Sequence, residues 1–425
     1  MRQPTEIESL YIDFDAFFAN AEKQLRPELR DRPVGVIPLQ SDHTSLIARC
    51  YLAKQAGIKR GTSVREARAL CPDIALPVAR HDVYVKLHHQ ILAEIDRHTP
   101  VHRVWSVDEM ECALSGSERQ RCEALAADIR EGLRQNIGPW LTPSIGLAPN
   151  QFLAKVAAEM DKPNGFVILR PEDLPGRLFD LELQDLPGIS SGMYARLGRA
   201  GVYTVEQLWN LSPKQARQIW NSVEGERMWA QLHGYAVSRP ETVRRMFGHG
   251  RVLSNDWRQP DKARECLRLL TAKAARRLRR ENYTASMLAV SMSCTDGRRW
   301  SGERSFFPAR DDHTFLHEAS LLYDTGLAAL RTSRLKKVSV ILHGLNQTGE
   351  ASADLFDHED SRSERHRWER VTDAMDALNA RHGTCVVSLG THNEPPGGYA
   401  GAKIAFGRVP ELNEFDMVAD RSGTA

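Results

Sequence analysis

The chain has no run of about 18 apolar residues, the length a helix needs to cross a bilayer, so no membrane span is expected. Its first residues, MRQPTEIESL, lack the apolar core of a secretory signal, which predicts a cytoplasmic protein. Cysteine is sparse and scattered. Cys50, Cys71, Cys112, Cys122, Cys266, Cys294 and Cys385 include no Cys-x-x-Cys pair, which argues against a disulfide framework and a zinc site. Net charge is nearly absent. At +2 the whole chain announces no nucleic-acid partner, so the distribution of charge matters more than its sum. No internal repeat is visible. What remains is a globular composition, 41% hydrophobic and 26% charged, over 425 residues, enough for about two to four domains.

Residues 8–15, ESLYIDFD, alternate with period two. Leu10, Ile12 and Phe14 take one face, while Tyr11, Asp13 and Asp15 take the other, so a strand presents carboxylates on one side. Residues 101–114 read as two short strands about a turn near Ser106–Glu109. Residues 119–135 read as an amphipathic helix and 142–148 as a strand. Asn150 suits the N-cap of a helix whose apolar face is Phe152, Leu153, Val156, Ala157 and Met160. With a helix after the first strand, the order is β-α-β-β-α-β, the ferredoxin-like plan, interrupted after that helix by an insertion at roughly 26–75.

Pro171, Pro175, Gly176, Pro187 and Gly188 mark a change near 171–187, and 176–240 read as short helices joined by glycine turns. From 244 to 280 basic residues dominate, Arg244, Arg245, Arg251, Arg264, Arg276 and Arg279 among them. The helix inside that segment carries Ala263, Leu267, Leu270, Ala274 and Leu278 at helical spacing, which predicts its cations on the outer face. Strands are expected at 285–294 and 336–345, a polar and acidic linker at 346–363, and a last helix near 366–381. The stretch EPPGGYAGAK carries no packing signal.

Asp13, Asp108 and Glu109 are the candidates for chemistry. Hard divalent cations take carboxylate oxygens, and two of them about 4 Å apart can stabilise both the attacking and the leaving oxygen of an in-line displacement. Successive strand residues point to opposite faces, so Asp108 and Glu109 serve one cluster only if the backbone turns between them. Spacing alone also fits surface acids at a turn.

The words around these acids resemble the Y-family DNA polymerases, of DinB and UmuC type, from about residue 8 to about 345. The carriers are IDFDAFFANAE (12–22), SVDE (106–109), SIGLAPNQFLAKVAAEMDKPNG (144–165) and LPGISSGMYARLGRAGVYTVEQL (186–208). The resemblance implies an α+β multidomain right hand. Its parts are a ferredoxin-like palm (1–25 and 76–175), small fingers (26–75), a helix-hairpin-helix thumb (176–240) and an α/β little finger (241–345), with a linker and tail beyond. It implies a template-directed, low-fidelity DNA polymerase acting in translesion synthesis on primer-template DNA and dNTPs, with two Mg2+ ions.

By the same resemblance Asp13, Asp108, Glu109 and the Phe14 carbonyl hold the metals, with Asp108 and Glu109 catalytic. Asp15 is not at a family ligand position and is read as a neighbour. Phe18 matches the steric gate beneath the incoming sugar, and Phe17 reads as a core aromatic. Tyr51, Lys54 and Lys162 match the triphosphate contacts, although Lys54 stands where many members carry arginine, the residue that grips two oxygens at once. Gly188 and Ser190 open the hairpin that meets DNA phosphate, with serine where a second glycine is usual. Arg244, Arg245 and Arg251 begin the basic segment that would track the duplex. It could instead be a solvated helix face. Asp354, Leu355 and Phe356 stand where members carry a sliding-clamp peptide, with Ser352 in the place of a glutamine, and they also read as a stray apolar pair in a linker. The tail resembles UmuC-type proteins and the Lys-Pro-Asn-Gly segment the DinB type, so the chain mixes features and leaves UmuD-like or recombinase partners open. An inactive, polymerase-like adaptor is the alternative. That class loses its acids, and all three are present here.

Overall fold

The computed structural model describes residues 2–42, 44–238, 243–331, 334–348, 359–382, 387–390 and 409–410. The chain divides near residue 240 into two compact units.

In the first unit, β1 (Ser9–Phe14) is followed by α1 (Phe17–Leu25), then by a small insertion with β2 (Gly35–Val36), β3 (Ala48–Arg49), α2 (Tyr51–Gln55) and α3 (Val64–Leu70). The chain returns through α4 (His81–Ile95), β4 (Arg103–Val104), β5 (Glu109–Ala113), α5 (Gly116–Gln120), α6 (Cys122–Asn136), β6 (Pro143–Ala148), α7 (Gln151–Met160) and β7 (Phe166–Ile168). The sheet order is β4-β5-β1-β6-β7, antiparallel except for the β6–β7 pair. β1 is central and buried on both faces, which explains its pattern. Leu10, Ile12 and Phe14 join Tyr84, Leu87, Ile91, Leu125 and Ile129 in one core, and Tyr11 joins the core that α7 closes on the other face. The ferredoxin-like plan is present, with one correction. The helix that pairs with α6 is α4, after the insertion, because α4 supplies a long apolar stripe while α1 has only nine residues. The insertion builds its own small core around Val34, Val36, Ile37, Leu46 and Ile58.

Four helices end the unit: α8 (Ser191–Arg199), α9 (Val205–Trp209), α10 (Pro213–Trp220) and α11 (Glu224–Leu232). Asn150 caps α7 as expected, its Oδ1 accepting from Leu153 N at 2.8 Å. Its Nδ2 also donates to Gln231 O at 2.8 Å and Tyr235 O at 3.0 Å, so one side chain ties the sheet layer to the helical end. Asn150→Ala removes a cap and leaves two carbonyls without this donor, so it is expected to destabilise the unit by about 2 kcal/mol. Calorimetric unfolding checks this. An unchanged midpoint would show that water replaces the amide.

The second unit runs β8 (Met246–Val252), α12 (Pro260–Arg280), β9 (Tyr283–Cys294), β10 (Arg299–Ala309), α13 (Asp312–Leu330) and β11 (Leu335–Gln347), and later α14 (Glu359–His382). The sheet order is β10-β9-β11-β8, all antiparallel, with α12 and α13 packed on the sheet through one apolar core. The expectation that α12 turns its cations outward agrees with exposed Lys262 and Arg280 and is corrected for Arg264 and Arg279. Arg264 pairs with Asp324 of α13. Arg279 is 8% exposed and lies 2.8 Å from Asp312 and 2.6 Å from Asp376 of α14. Helices cover more of α12 than its apolar stripe foretells, and their acids neutralise part of its charge.

Candidate active site

The antiparallel ladder places Asp13 opposite Glu109. Just before that pair the chain turns: Trp105 N and Ser106 N both donate to Glu109 O, at 2.9 and 3.2 Å. The turn lets Glu109 keep its strand position while Asp108 lies one residue outside the strand, its carbonyl accepting from Phe14 N at 2.9 Å. α7 packs on β1 and adds a third acid. Asp13, Glu109 and Glu159 offer ligand atoms that all lie within 4.8 Å of one another. Glu159 was not singled out in the sequence. Its only signal is that it lies in the last turn of α7, just before the Lys-Pro-Asn-Gly segment. The Asp108 carboxylate is outside that group of three and accepts from Ser106 Oγ.

Two lysines stand among the acids. Lys162 Nζ lies 2.6 Å from Asp13 and 3.0 Å from Glu159, and Lys155 Nζ bonds Glu109. Burial raises the Asp13 carboxyl well above the usual carboxylate range, against the pull of Lys162. Glu159 is also pushed up by burial, but the Lys162 ammonium and its hydrogen bond outweigh that and hold it low. Burial pulls Lys162 down, yet its two carboxylates prevail and raise it. Asp108 is raised by burial, with Glu109 adding in the same sense. Tyr11, fully buried, carries a hydroxyl without a hydrogen-bond partner, and its ionisation is raised by burial and then by Glu109 and Asp13. Clustered hard oxygens, an unmet hydroxyl and carboxylates destabilised by burial are the donor set a divalent cation takes, so these residues fit the group that the family implies.

Asp15 has a different task. It is 1% exposed, and it accepts from Ser144 Oγ at 2.9 Å, Thr142 Oγ1 at 3.1 Å and Asn164 N at 2.7 Å. The strand ends at Phe14, and Ala16 takes a left-handed φ of 46°, so Asp15 leaves the face that Asp13 occupies.

Phe17 is a core residue at 2% exposure, edge-on to Phe14 and Tyr84. Phe18 is half-buried and stacks on Tyr84, centroids 4.5 Å apart and planes 15° apart. The Tyr84 hydroxyl donates to buried Glu22 at 2.9 Å, and Arg80 grips the same carboxylate at 3.0 and 2.8 Å. Tyr51 begins α2, and burial, with Asp15 next, pushes its hydroxyl up to about 12. Lys54 is exposed, with Nζ 5.3 Å from the Tyr51 ring centroid.

Gly188 has a φ of 91°, a value that favours glycine, and Ser190 is the N-cap residue of α8 without a side-chain capping bond. Arg244 lies 2.9 Å from Glu281 and 4.9 Å from the Phe247 ring centroid. Arg245 is exposed, and Arg251 lies half-buried on β8. Asp354, Leu355 and Phe356 fall outside the described residues.

Buried Asp13 and half-buried Glu109 on facing strands of a ferredoxin-like sheet suit a nucleotidyl-transferring enzyme of the polymerase kind. The impB/mucB/samB family matches residues 12–159, and the C-terminal domain of that family matches 244–355. DNA polymerase IV of Moorella thermoacetica is 31% identical over 388 residues, 89% of this chain and 94% of the relative. DNA polymerase IV of Caulobacter vibrioides is 28% identical over 89% of this chain and 93% of its own. Among solved structures, a Y-family DNA polymerase chimera of Dbh and Dpo4 aligns with a TM-score of 0.69 at 20% identity, over 80% of this chain and 99% of its own. An insertion ternary complex of Dbh DNA polymerase aligns with a TM-score of 0.52 at 22% identity, over 79% and 98%. The chain belongs to the impB/mucB/samB family, the Y-family DNA polymerases.

Proposed function

We propose that the chain is a low-fidelity, template-directed DNA polymerase whose reaction centre is the acidic end of β1 and β5. The observation that carries this is the opposition of Asp13 and Glu109 across the ladder, with Asp108 beside them. The primer 3′-hydroxyl attacks the α-phosphate of a dNTP, and pyrophosphate leaves. Asp13, Asp108, Glu109 and the Phe14 carbonyl are the ligands we assign to two Mg2+ ions, which when bound supply charge stabilisation to the displacement. Lys162, with Tyr51 and Lys54, is assigned to the triphosphate. Its pairing with Asp13 and Glu159 keeps it charged and close to where phosphate oxygens would arrive. Phe18 is assigned to the sugar. We assign palm to 1–25 and 76–175, fingers to 26–75, thumb to 176–240 and little finger to 241–345. Primer extension on templates with and without an abasic site tests the activity. An inactive adaptor is disfavoured by the retained acids, and no extension on either template would restore it.

Gly188 and Ser190 are assigned to backbone phosphate contact, and Arg244, Arg245 and Arg251 to the duplex. Their geometry separates them. Arg245→Ala is expected to reduce the slope of log affinity against log salt by about 0.9, the value for one phosphate contact. Arg279→Met should leave that slope unchanged, because Arg279 is committed to Asp312 and Asp376. Equal slopes for wild type and Arg245→Ala, by fluorescence anisotropy on a primer-template, would remove Arg245 from the interface.

Asp354, Leu355 and Phe356 are assigned to a sliding clamp as a weak docking peptide, and UmuD-like or recombinase partners are a further reading of the tail. Two apolar anchors fill a pocket, and Ser352 is too short for the contacts of a glutamine. Ser352→Gln is expected to tighten clamp binding several-fold, on the order of 1 kcal/mol. Titrating a peptide of residues 348–360 against the cognate clamp checks this. No binding by either peptide would leave the segment a linker.

A further inference from the structure

The two carbonyls that flank Asp108 are held from different elements. Asp108 O accepts from Phe14 N of β1 at 2.9 Å. Val107 O is 2.8 Å from Nδ1 of His88, a residue of α4 that is 2% exposed. The planar peptides on either side of a Cα fix the direction in which its side chain leaves the backbone. Glu109 takes its direction from the ladder with Asp13. Asp108 lies one residue outside that ladder, and the turn's own amides, from Trp105 and Ser106, both go to Glu109 O. The Val107–Asp108 peptide is held on both sides: its amide donates to Ser106 Oγ within the turn at 3.3 Å, and its carbonyl is held from α4 by His88. We propose that His88 is a positioning residue that anchors the carbonyl of this peptide and so holds the Asp108 carboxylate beside the acidic cluster.

The chemistry of the ring suits a donor. Burial pushes His88 down to about 4, and nearby His89 adds in the same sense while the carbonyl bond opposes it. A neutral imidazole has one N–H, and the bond to Val107 O places it on Nδ1. The ring brings no charge to the carboxylates, so it acts by geometry alone. Without the bond the Val107 carbonyl loses its anchor and the peptide keeps only the Ser106 contact, so it can rotate, and a displacement of about 1 Å near a reacting centre costs on the order of 100-fold in rate. The inference rests on the assignment of Asp108 as a metal ligand.

The test compares His88→Asn, whose side-chain N–H lies near the place of Nδ1, with His88→Leu, which has nearly the same shape and no donor. Both are made in the full chain and checked for cooperative melting. If the Leu variant does not fold, His88→Ser, too short to reach Val107, replaces it with the same criteria. The readouts are kcat and KM in primer extension, and Mn2+ affinity by electron paramagnetic resonance without dNTP. The Leu variant is expected to lose about 10- to 100-fold in kcat and a similar factor in Mn2+ affinity, as when a residue that orients a metal ligand is removed. KM for dNTP and primer-template affinity should change little, and Asn should recover most of the loss. Wild-type kcat and Mn2+ affinity in the Leu variant overturn the proposal, as does an Asn variant as impaired as Leu. Asp108→Ala separates the two claims. If it remains active, the ligand assignment fails. If it is inactive while the Leu variant is unimpaired, only the role of His88 fails.

Discussion

Asp108→Ala is expected to lower kcat for primer extension by at least about 1000-fold, on the order of 4 kcal/mol of transition-state stabilisation. The expectation follows from where Asp108 sits. It adjoins Glu109, which faces Asp13, and burial already raises Asp108 and Asp13 above the usual carboxylate range. Carboxylates kept together at that cost are most stable with a cation among them. Removing one would weaken the hold on that cation, whose charge would stabilise the displacement, and leaves the phosphate contacts alone. Primer-template affinity should therefore stay within about two-fold, which separates a chemical defect from a binding defect. Single-turnover extension with a parallel binding titration measures both. Extension near the wild-type rate would falsify the assignment of this cluster.

A second large change should come from Phe18→Ala, a loss of about 100-fold in discrimination of dNTP against rNTP, or roughly 3 kcal/mol. The ring is not loose. It stacks on Tyr84 at 4.5 Å, and Tyr84 is anchored through Glu22 to Arg80. A ring held in this way cannot step aside for a 2′-hydroxyl, whereas a methyl group leaves the space open. Incorporation of matched dNTP and rNTP by the variant gives the ratio. An unchanged ratio would assign the sugar contact elsewhere. Phe17 is a poor substitute. It is buried between Phe14 and Tyr84, and its removal should act on stability, by about 3 kcal/mol or more.

Several elements were legible because one physical signal dominated them. β1 alternates strictly, α7 has a cap and an apolar stripe, and β9 and β11 alternate over most of their length. β8 was hidden. Gly248 and Gly250 stand where alternation would show, and their lack of side chains is used for close approach: a Cβ on Gly250 would meet that of Ser339 at 2.9 Å. α4 went unread because it follows the insertion, although its stripe through Leu87, Ile91 and Ile95 is plain once the helix is placed. Asp13, Asp108 and Glu109 stood out through the words around them. Glu159 did not, since it joins the others only by the packing of α7 on β1, a contact across about 50 and about 145 residues of chain that no local spacing encodes. Arg279 of α12 was misplaced for the same reason: Asp312 of α13 and Asp376 of α14 draw it in.

Asp15 has a mechanical consequence. Its carboxylate bonds Ser144 of β6, Thr142 just before that strand, and Asn164 in the turn that carries Lys162. Its amide donates to Thr142 O at 3.0 Å, and Gly165 N donates to Ser144 Oγ at 3.2 Å. The end of β1 and the lysine turn are thus tied to each other both directly and through the start of β6. A strain that tilts the ends of β1 and β6 carries Asp13 and Lys162 together, so their spacing is preserved while the pair as a whole moves. In this chain a buried carboxylate couples the strand that carries Asp13 to the turn that carries Lys162.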